Sequence, residues 1–359
     1  MRRAPASNLR ATPRYRNPDA KAEAADATTP PTGEGAQMTL EPKQEHDPWP
    51  PLPWEEGRET LATFHQWMQI VGKVRVALAP WVNHQWHVTL HPSARGFTSR
   101  PIPFEQDTFG MEVDLLDHQL LIERSDGREG RVALEPRSVA DFYQALMGEL
   151  RGIGVEVTIH GSPNELPDPI PFRENERDGH YDRAYVERFF RAMSSSARVF
   201  EEFRGRYIGK CSPVHLFWGA LDLAVTRFSG RPAPEHPGGI PHLPDWITRE
   251  AYSHEVSSAG FWAGSDSTPW PFYYAYAYPN PEGYPEAPVQ PAEARWDSDL
   301  SEFILPYEAV RKAPSPEDHL LAFLTSTYEA AAELGGWDRS TLEWAPGARP
   351  PVGGHRNRP

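Results

Sequence analysis

The 359-residue sequence predicts an α+β fold, a largely antiparallel sheet with helices packed on it. Two observations carry this. Long segments repeat apolar residues at helical spacing, as in Leu61, Phe64, Met68, Val71 and Leu78. Short segments between turn signals alternate apolar and polar residues, as in "MEVDLL", "QLLIER" and "PFYYAYAY".

Taken in order, Thr60 to Leu78 reads as a helix ended by Pro80. "HQWHVTL", "GFTSRPIPF", "MEVDLL", "QLLIER" and "GRVAL" read as strands, with Ser125-Asp126-Gly127 turning the chain between the last two. "RSVADFYQALMGELRGIG" is a helix with Ser138 at the N-cap and Asp141 in the capping-box position. "VEVTIH" reads as a strand and "SPNELPDPIPF" as a loop. A long helix runs from Asp182 to about Arg206, and "GKCSPVHLFWGALDLAVTRFSGR" (209–231) reads as another, apolar almost all round. Arg231 to Pro244 is a Pro/Gly loop. "PFYYAYAY" then alternates as a strand, "EFILPYEAVRKA" is mixed, and "SPEDHLLAFLTSTYEAAAELGGW" is a capped helix closed by Gly335-Gly336.

Residues 1–50, with Pro, Ala, Thr and charge but almost no hydrophobic periodicity, cannot offset their ordering entropy and read as a disordered tail; 346–359 reads likewise. Residues 51–345 are then one large globular domain. The net charge is −14, and both tails are neutral or basic, so the domain is more acidic than the whole chain. Such a surface repels phosphate backbones, which argues against nucleic acid. Apolar runs fall short of a bilayer span, so no membrane role is expected. The single cysteine, Cys211, fits a reducing compartment, and cytoplasmic localisation is the expectation.

The chemistry-bearing residues concentrate in 209–231. With Ser212 as N-cap and Pro213 at the first helical position, His215, Gly219, Asp222 and Thr226 form one narrow polar stripe. A solvated stripe ordinarily uses Glu, Lys, Gln or Arg, and Gly costs about 1 kcal/mol against Ala in a helix. The stripe therefore reads as pocket lining, with a buried hydrogen-bond network as the alternative. Positions seven apart lie about 10.5 Å apart along a helix, so Asp222 cannot orient His215 directly. Cys211, beside Lys210 and a helix start, has the setting of a lowered thiol pKa, although an inert core cysteine is the commoner case.

Other candidates lie outside this stretch. His65, Gln69, Gly72 and Lys73 form a second polar stripe on the first helix. His84, His87 and His91 invite a metal reading, against which stands that of surface histidines. In "SHEVSSAGFWAG", His254 and Glu255 offer an acid/base pair, but neighbours in an extended segment face opposite sides. Arg227 and Arg231 are possible anion clamps, and the tyrosines around Tyr274 could stack on a ring or sugar. Patterns of an α/β-hydrolase elbow, a P-loop or a Rossmann glycine turn are missing.

Several words of the chain resemble one bacterial family, domain-of-unknown-function family 5996. They are His65-xxx-Gln69-Ile-Val-Gly-Lys73, "NHQWHVTL" with "ARGFTS", "PNELPD", "GKCSPVHLFWGALDLAVTRFSGR", "AYSHEVSSAGFWAG" and "EFILPYEAVR". The resemblance covers residues 51–345 and implies no activity, cofactor or catalytic residue.

The reading that follows is a small-molecule pocket with His215, Asp222, His254 and Glu255 as candidate catalytic residues. Arg227, His65, Lys73 and Thr226 are candidate substrate contacts. Acid/base or metal-assisted hydrolysis is the chemistry such a pocket would carry; a non-catalytic small-ligand binding module and a protein-interaction scaffold are the alternatives, with metal and cofactor open.

Overall fold

A computed structural model describes residues 47–166, 169–240 and 242–344. The two expected tails lie outside these residues, except that Asp47–Pro50 already belong to the packed chain. Trp49 is buried, and the Pro50 carbonyl accepts from the Tyr307 hydroxyl at 2.9 Å.

Helix α1, Trp54–Leu78, is the central element. Phe64, Trp67, Met68, Ile70, Val71 and Val74 are all fully buried, so apolar contact surrounds its middle turns. The first antiparallel sheet follows: β1 (His91–Pro92), β2 (Gly96–Thr98), β3 (Ile102–Phe104), β4 (Asp107–Asp114), β5 (Gln119–Arg124) and β6 (Glu129–Ala133). Its order is β1-β2-β4-β5-β6, with β3 also on β4. Helix α2, Val139–Gly152, is capped by Ser138, which accepts from the Asp141 amide as the sequence predicts. Its Phe142 stacks on Trp67 of α1 at 4.8 Å. Helix α3, Arg183–Arg204, is capped by Asp182.

The second antiparallel sheet is built from β7 (His215–Phe217), β8 (Asp222–Pro232), β9 (His254–Trp262), β10 (Phe272–Tyr278), β11 (Arg295–Asp297) and β12 (Glu302–Pro306). Its order is β11-β12-β10-β9-β8-β7. Helix α4 (Asp245–Ala251) precedes β9, and α5 (Tyr307–Lys312), α6 (Pro316–Leu334) and α7 (Arg339–Leu342) end the described chain. Reciprocal backbone bonds between Leu90 and Leu216, at 3.0 and 2.7 Å, join the two sheets. The architecture is α+β, and no helix among the described residues is long and apolar enough to cross a membrane.

Three expectations fail locally. The stretch 209–231 is a hairpin, not a helix: His215 pairs with Ala224 and Phe217 with Asp222 across the turn Trp218–Leu221. An unbroken apolar run bounded by turn signals fits a buried strand as well as a buried helix. Here Leu223 and Val225 face the core two by two, and Leu221 takes a φ of 58° to close the turn. "HQWHVTL" instead forms a short 3₁₀ turn, Asn83–Gln85, and "VEVTIH" runs extended without a ladder. In both, buried side chains anchor the segment, and Leu90 at the end of the first pairs with Leu216.

Candidate functional site

The second sheet divides the candidates by face. On one face Leu223, Phe261, Tyr273 and Leu305 lie side by side, followed by Val225, Ala259, Ala275 and Phe303, all in the main core. The other face carries Asp222, Trp262 and Phe272, then Ala224, Gly260, Tyr274 and Ile304, then Thr226, Ser258 and Tyr276. Glu302, two residues before Ile304, joins this polar and aromatic face.

Tyr274 organises its centre. Gly260 has no side chain, and the Tyr274 ring lies across it; a Cβ there would meet the ring and its hydroxyl at 2.3 Å. The phenol can thus reach sideways and donate to Asp222 Oδ2. Tyr276 continues the wall, with ring centroids 6.1 Å from Tyr274 and its hydroxyl 2.7 Å from that of Tyr252. His236 stacks on Tyr252 at 4.9 Å and closes that end. Thr226 Oγ1 lies 2.8 Å from Ser258 Oγ on the same face.

The polar stripe of α1 meets this face at the hairpin turn. His65 Nε2 lies 2.7 Å from the Gly219 carbonyl. Gln69 clamps Asn164, accepting from its amide at 2.7 Å and donating to its carbonyl at 2.9 Å. Lys73 donates to the Asn164 side chain. Gly72 makes room for the Trp218 indole, whose Nε1 donates to the Val88 carbonyl at 2.7 Å. The clamp sets Glu165 beside the turn. Glu165 is an exposed residue, but a Cβ on Gly219 would come within 2.1 Å of its Oε1, so its carboxyl fills the hollow that glycine leaves.

Asp222 acts electrostatically on both Glu165 and Glu302, and all three carboxyls are pushed upward. Burial raises Asp222 to about 6, against the Tyr274 hydrogen bond. Burial and the Asp222 charge raise Glu165 to about 7, with Lys73 opposing. Burial, then Asp222 and Asp297, raise Glu302 to about 8. Lys73 is lowered to about 8 by burial. None of the three carboxylates forms an ion pair among the described residues. Such groups hold or release a proton near neutral pH.

With this geometry in view, the comparison with known families is decisive. The model described as Family of unknown function (DUF5996) matches residues 49–344. The chain belongs to that family. No curated protein and no solved structure matches it. In this DUF5996 chain, segments that the sequence presents far apart supply one face: the α1 stripe, Asn164 with Glu165, the hairpin with Asp222, and "EFILPYEAVR" with Glu302.

The other sequence candidates lie apart. His215 is fully buried, with Nδ1 3.1 Å from Thr89 Oγ1, and burial lowers it to about 3. Arg227 points to the core face, boxed by Phe203, Tyr328 and Tyr207 with its carbon 3.4 Å from the Phe203 centroid, so it reaches nothing on the polar face. Glu255 accepts from Ser229 at 2.8 Å and from Arg231 at 2.6 and 2.8 Å. His254 sits at the start of β9 beside Ser253, its ring 5.7 Å from that of His84. Cys211 is not at a helix start, and burial raises its thiol to about 11, the reverse of activation. His84 and His87 bond to separate carbonyls, those of Ala251 and Val82, and among the described residues no three His, Cys, Asp or Glu converge to hold a metal ion. A cleft of about 530 Å³ lies at Pro51–Trp54, Trp270 and Tyr307, lined by none of the candidates.

Glu165, Glu302 and Asn164 were missed as chemistry. Alternation through "EFIL" already puts Glu302 opposite the core residues Phe303 and Leu305. The roles of Glu165 and Asn164 depend on a clamp from residues more than ninety positions away, for which no local signal exists.

Proposed function

We propose that the Asp222 face binds a polar small molecule and exchanges protons with it, with Asp222, Glu165 and Glu302 as the proton-holding groups. The observation that carries this reading is Asp222 itself: a largely enclosed carboxyl, given one hydroxyl donor by Tyr274 and no cation. Enclosing such a group is costly unless it keeps a proton or meets a ligand. In a reaction, a protonated carboxyl would donate to an oxygen or nitrogen of the ligand while an ionised one accepts a proton from it or from water. Tyr274 and Tyr276 would provide the contact surface, and Lys73 with Asn164 would hold Glu165 in place. The metal-assisted form has no converging donor set among the described residues.

The tyrosine wall also supports a second reading, a binding module without turnover. Native mass spectrometry of untagged protein from its own or a related host tests the shared premise. A retained organic mass that Asp222→Asn and Tyr274→Phe both lose supports the site; retention unchanged in both variants places the ligand elsewhere. Turnover of the identified molecule then separates enzyme from binder.

A further inference from the structure

The hairpin strand β7 contributes to a second polar cluster, opposite in sign to the first. The Leu90–Leu216 bonds set His91 and His215 next to each other, with ring centroids 6.2 Å apart. Both are buried, at 4% and 0% exposure, and each has a ring nitrogen with no partner: Nδ1 of His91 and Nε2 of His215. Arg75, from α1, is 7% exposed; its Nε donates to the His87 carbonyl at 2.7 Å, and its Nη1 has no acceptor. Arg100, from the β2–β3 turn, has a φ of 56° in the left-handed region and acts electrostatically on Arg75, His91 and His215 alike. Neither arginine forms an ion pair among the described residues, and the charged neighbours that act on the two histidines are Arg75, Arg100 and Arg204.

This is an unusual arrangement for so acidic a chain. A buried guanidinium with no carboxylate and an unused donor is expensive, and two more buried nitrogens without partners lie beside it. Elements α1, β1 and β7 each bring one such group: the two rings lie 6.2 Å apart, and Arg75 is near enough to act electrostatically on His91. We infer that Arg75, Arg100, His91 and His215 form a binding site for an oxyanion, the carboxylate or phosphate group of a small molecule. Arg75 supplies the buried charge and an N–H; the other His91 nitrogen donates to the Val214 carbonyl and His215 Nδ1 faces Thr89, so each imidazole donates from its unpartnered nitrogen once the bound anion draws a second proton onto the ring. Arg100, exposed at the turn, stands on the approach from solvent. The assignment rests on none of the residues used in the proposed function.

The test is a titration of the full chain, dialysed free of phosphate and carboxylate buffers, with inorganic phosphate and separately with sodium acetate. Sodium chloride at matched ionic strength is the control. Imidazole ¹⁵N signals and the melting temperature are the readouts. Saturable binding that moves the His91 and His215 signals, with the other histidines unmoved, is expected. Phosphate alone would point to a phosphorylated ligand, acetate alone to a carboxylic acid, and either supports the site. Arg100→Ala, at an exposed turn, should weaken the affinity about tenfold or more, as loss of a charge-assisted contact does. Arg75→Gln should abolish binding. If that variant does not fold, Arg100→Ala and the wild-type imidazole signals still decide. Responses no larger than those to chloride, or an unchanged affinity in Arg100→Ala, overturn the inference and leave water as the occupant.

Discussion

Arg339 and Arg75 illustrate two ways of placing a guanidinium. Arg339, on α7, reaches three carboxylates, Glu329, Glu333 and Glu343, at 2.7 to 3.0 Å and is held well above its ordinary range mainly by the Glu343 hydrogen bonds. Arg75 is more deeply buried, has no such partner, and is lowered to about 10 by burial. The same contrast holds for carboxylates: Asp114 is paired with Arg95 and lowered, whereas Asp222 is unpaired and raised to about 6. At Arg339 and Asp114 the charge is neutralised by ion pairs within the chain. Around the β7–β8 hairpin the protein leaves carboxylates unmatched near Asp222 and cations unmatched near His215. Charge left unmatched inside a protein is what a ligand of opposite or complementary polarity can compensate.

The largest effect should come from filling the space on which the Asp222 face depends. In Gly260→Ala the new methyl meets both the Tyr274 ring and the Leu223 carbonyl oxygen at 2.5 Å, and backbone cannot yield as a side chain can. A loss of about 2–3 kcal/mol is expected by denaturant unfolding. Gly219→Ala displaces only the Glu165 carboxyl, the free end of an exposed residue, and should cost much less. Equal costs would mean that Tyr274 is not fixed across Gly260, and the face would lose its organising contact.

Asp222→Asn sharpens the contrast through pH. Because the folded value, about 6, lies above the ordinary aspartate value of 3.8, the folded state holds the proton more tightly than the unfolded state. This carboxyl's favourable protonated form is fully present below pH 3.8, and stability declines as pH rises from there through about 6. The amide mimics the protonated form, so the variant should gain on wild type as pH rises from 4 to 8. The gain should be on the order of 1–2 kcal/mol, after discounting for partial solvent access. A difference that stays constant with pH would show Asp222 to be ionised throughout. His91 and His215, both lowered to about 3, act in the other direction, losing stability as pH falls from 6.5 towards 3.

The arginines give a smaller, direct comparison. In phosphate-free buffer, Arg339→Met should cost about 1 kcal/mol, the scale of a partly exposed ion-pair network. Arg75→Met should cost less, because it removes an uncompensated buried charge at the expense of one hydrogen bond to His87. A larger loss at Arg75 would identify an internal partner and break the contrast.

How much of this the sequence carried depended on the range of each contact. Helix α2 could be read with its cap, since Ser138 accepts from the Asp141 amide three residues away, and α3 could be read in extent, with the Asp182 cap seen only in the structure. The α1 stripe His65, Gln69, Lys73 was visible as polar residues on a buried helix, and so was the need for space at Gly219. Their meeting was not, because His65 and Gly219 stand 154 positions apart. The hairpin was misread because Leu, Phe, Trp, Ala and Val on both faces of β7–β8 remove the alternation that would mark a half-buried strand. His215 and Asp222 consequently looked like one stripe. In the hairpin His215 turns to Thr89 and His91, while Asp222 turns to Tyr274.

The smallest effect isolates that last contact. Tyr274→Phe keeps the ring over Gly260 and removes only the hydroxyl that donates to Asp222. That bond favours the ionised carboxyl and opposes the effect of burial, so its loss should move Asp222 above about 6. Carboxyl ¹³C titration would report the shift, with Glu165 and Glu302 moving less, since they sense Asp222 only through its charge. A neutral carboxyl repels its neighbours less, so those two should titrate slightly lower in the variant while Asp222 titrates higher. Movement in opposite directions is the signature of one coupled group of three carboxyls. If all three remain where they are in wild type, the carboxyls around Asp222 are three independent acids, and their contrast with the cations around His215 is one of composition alone.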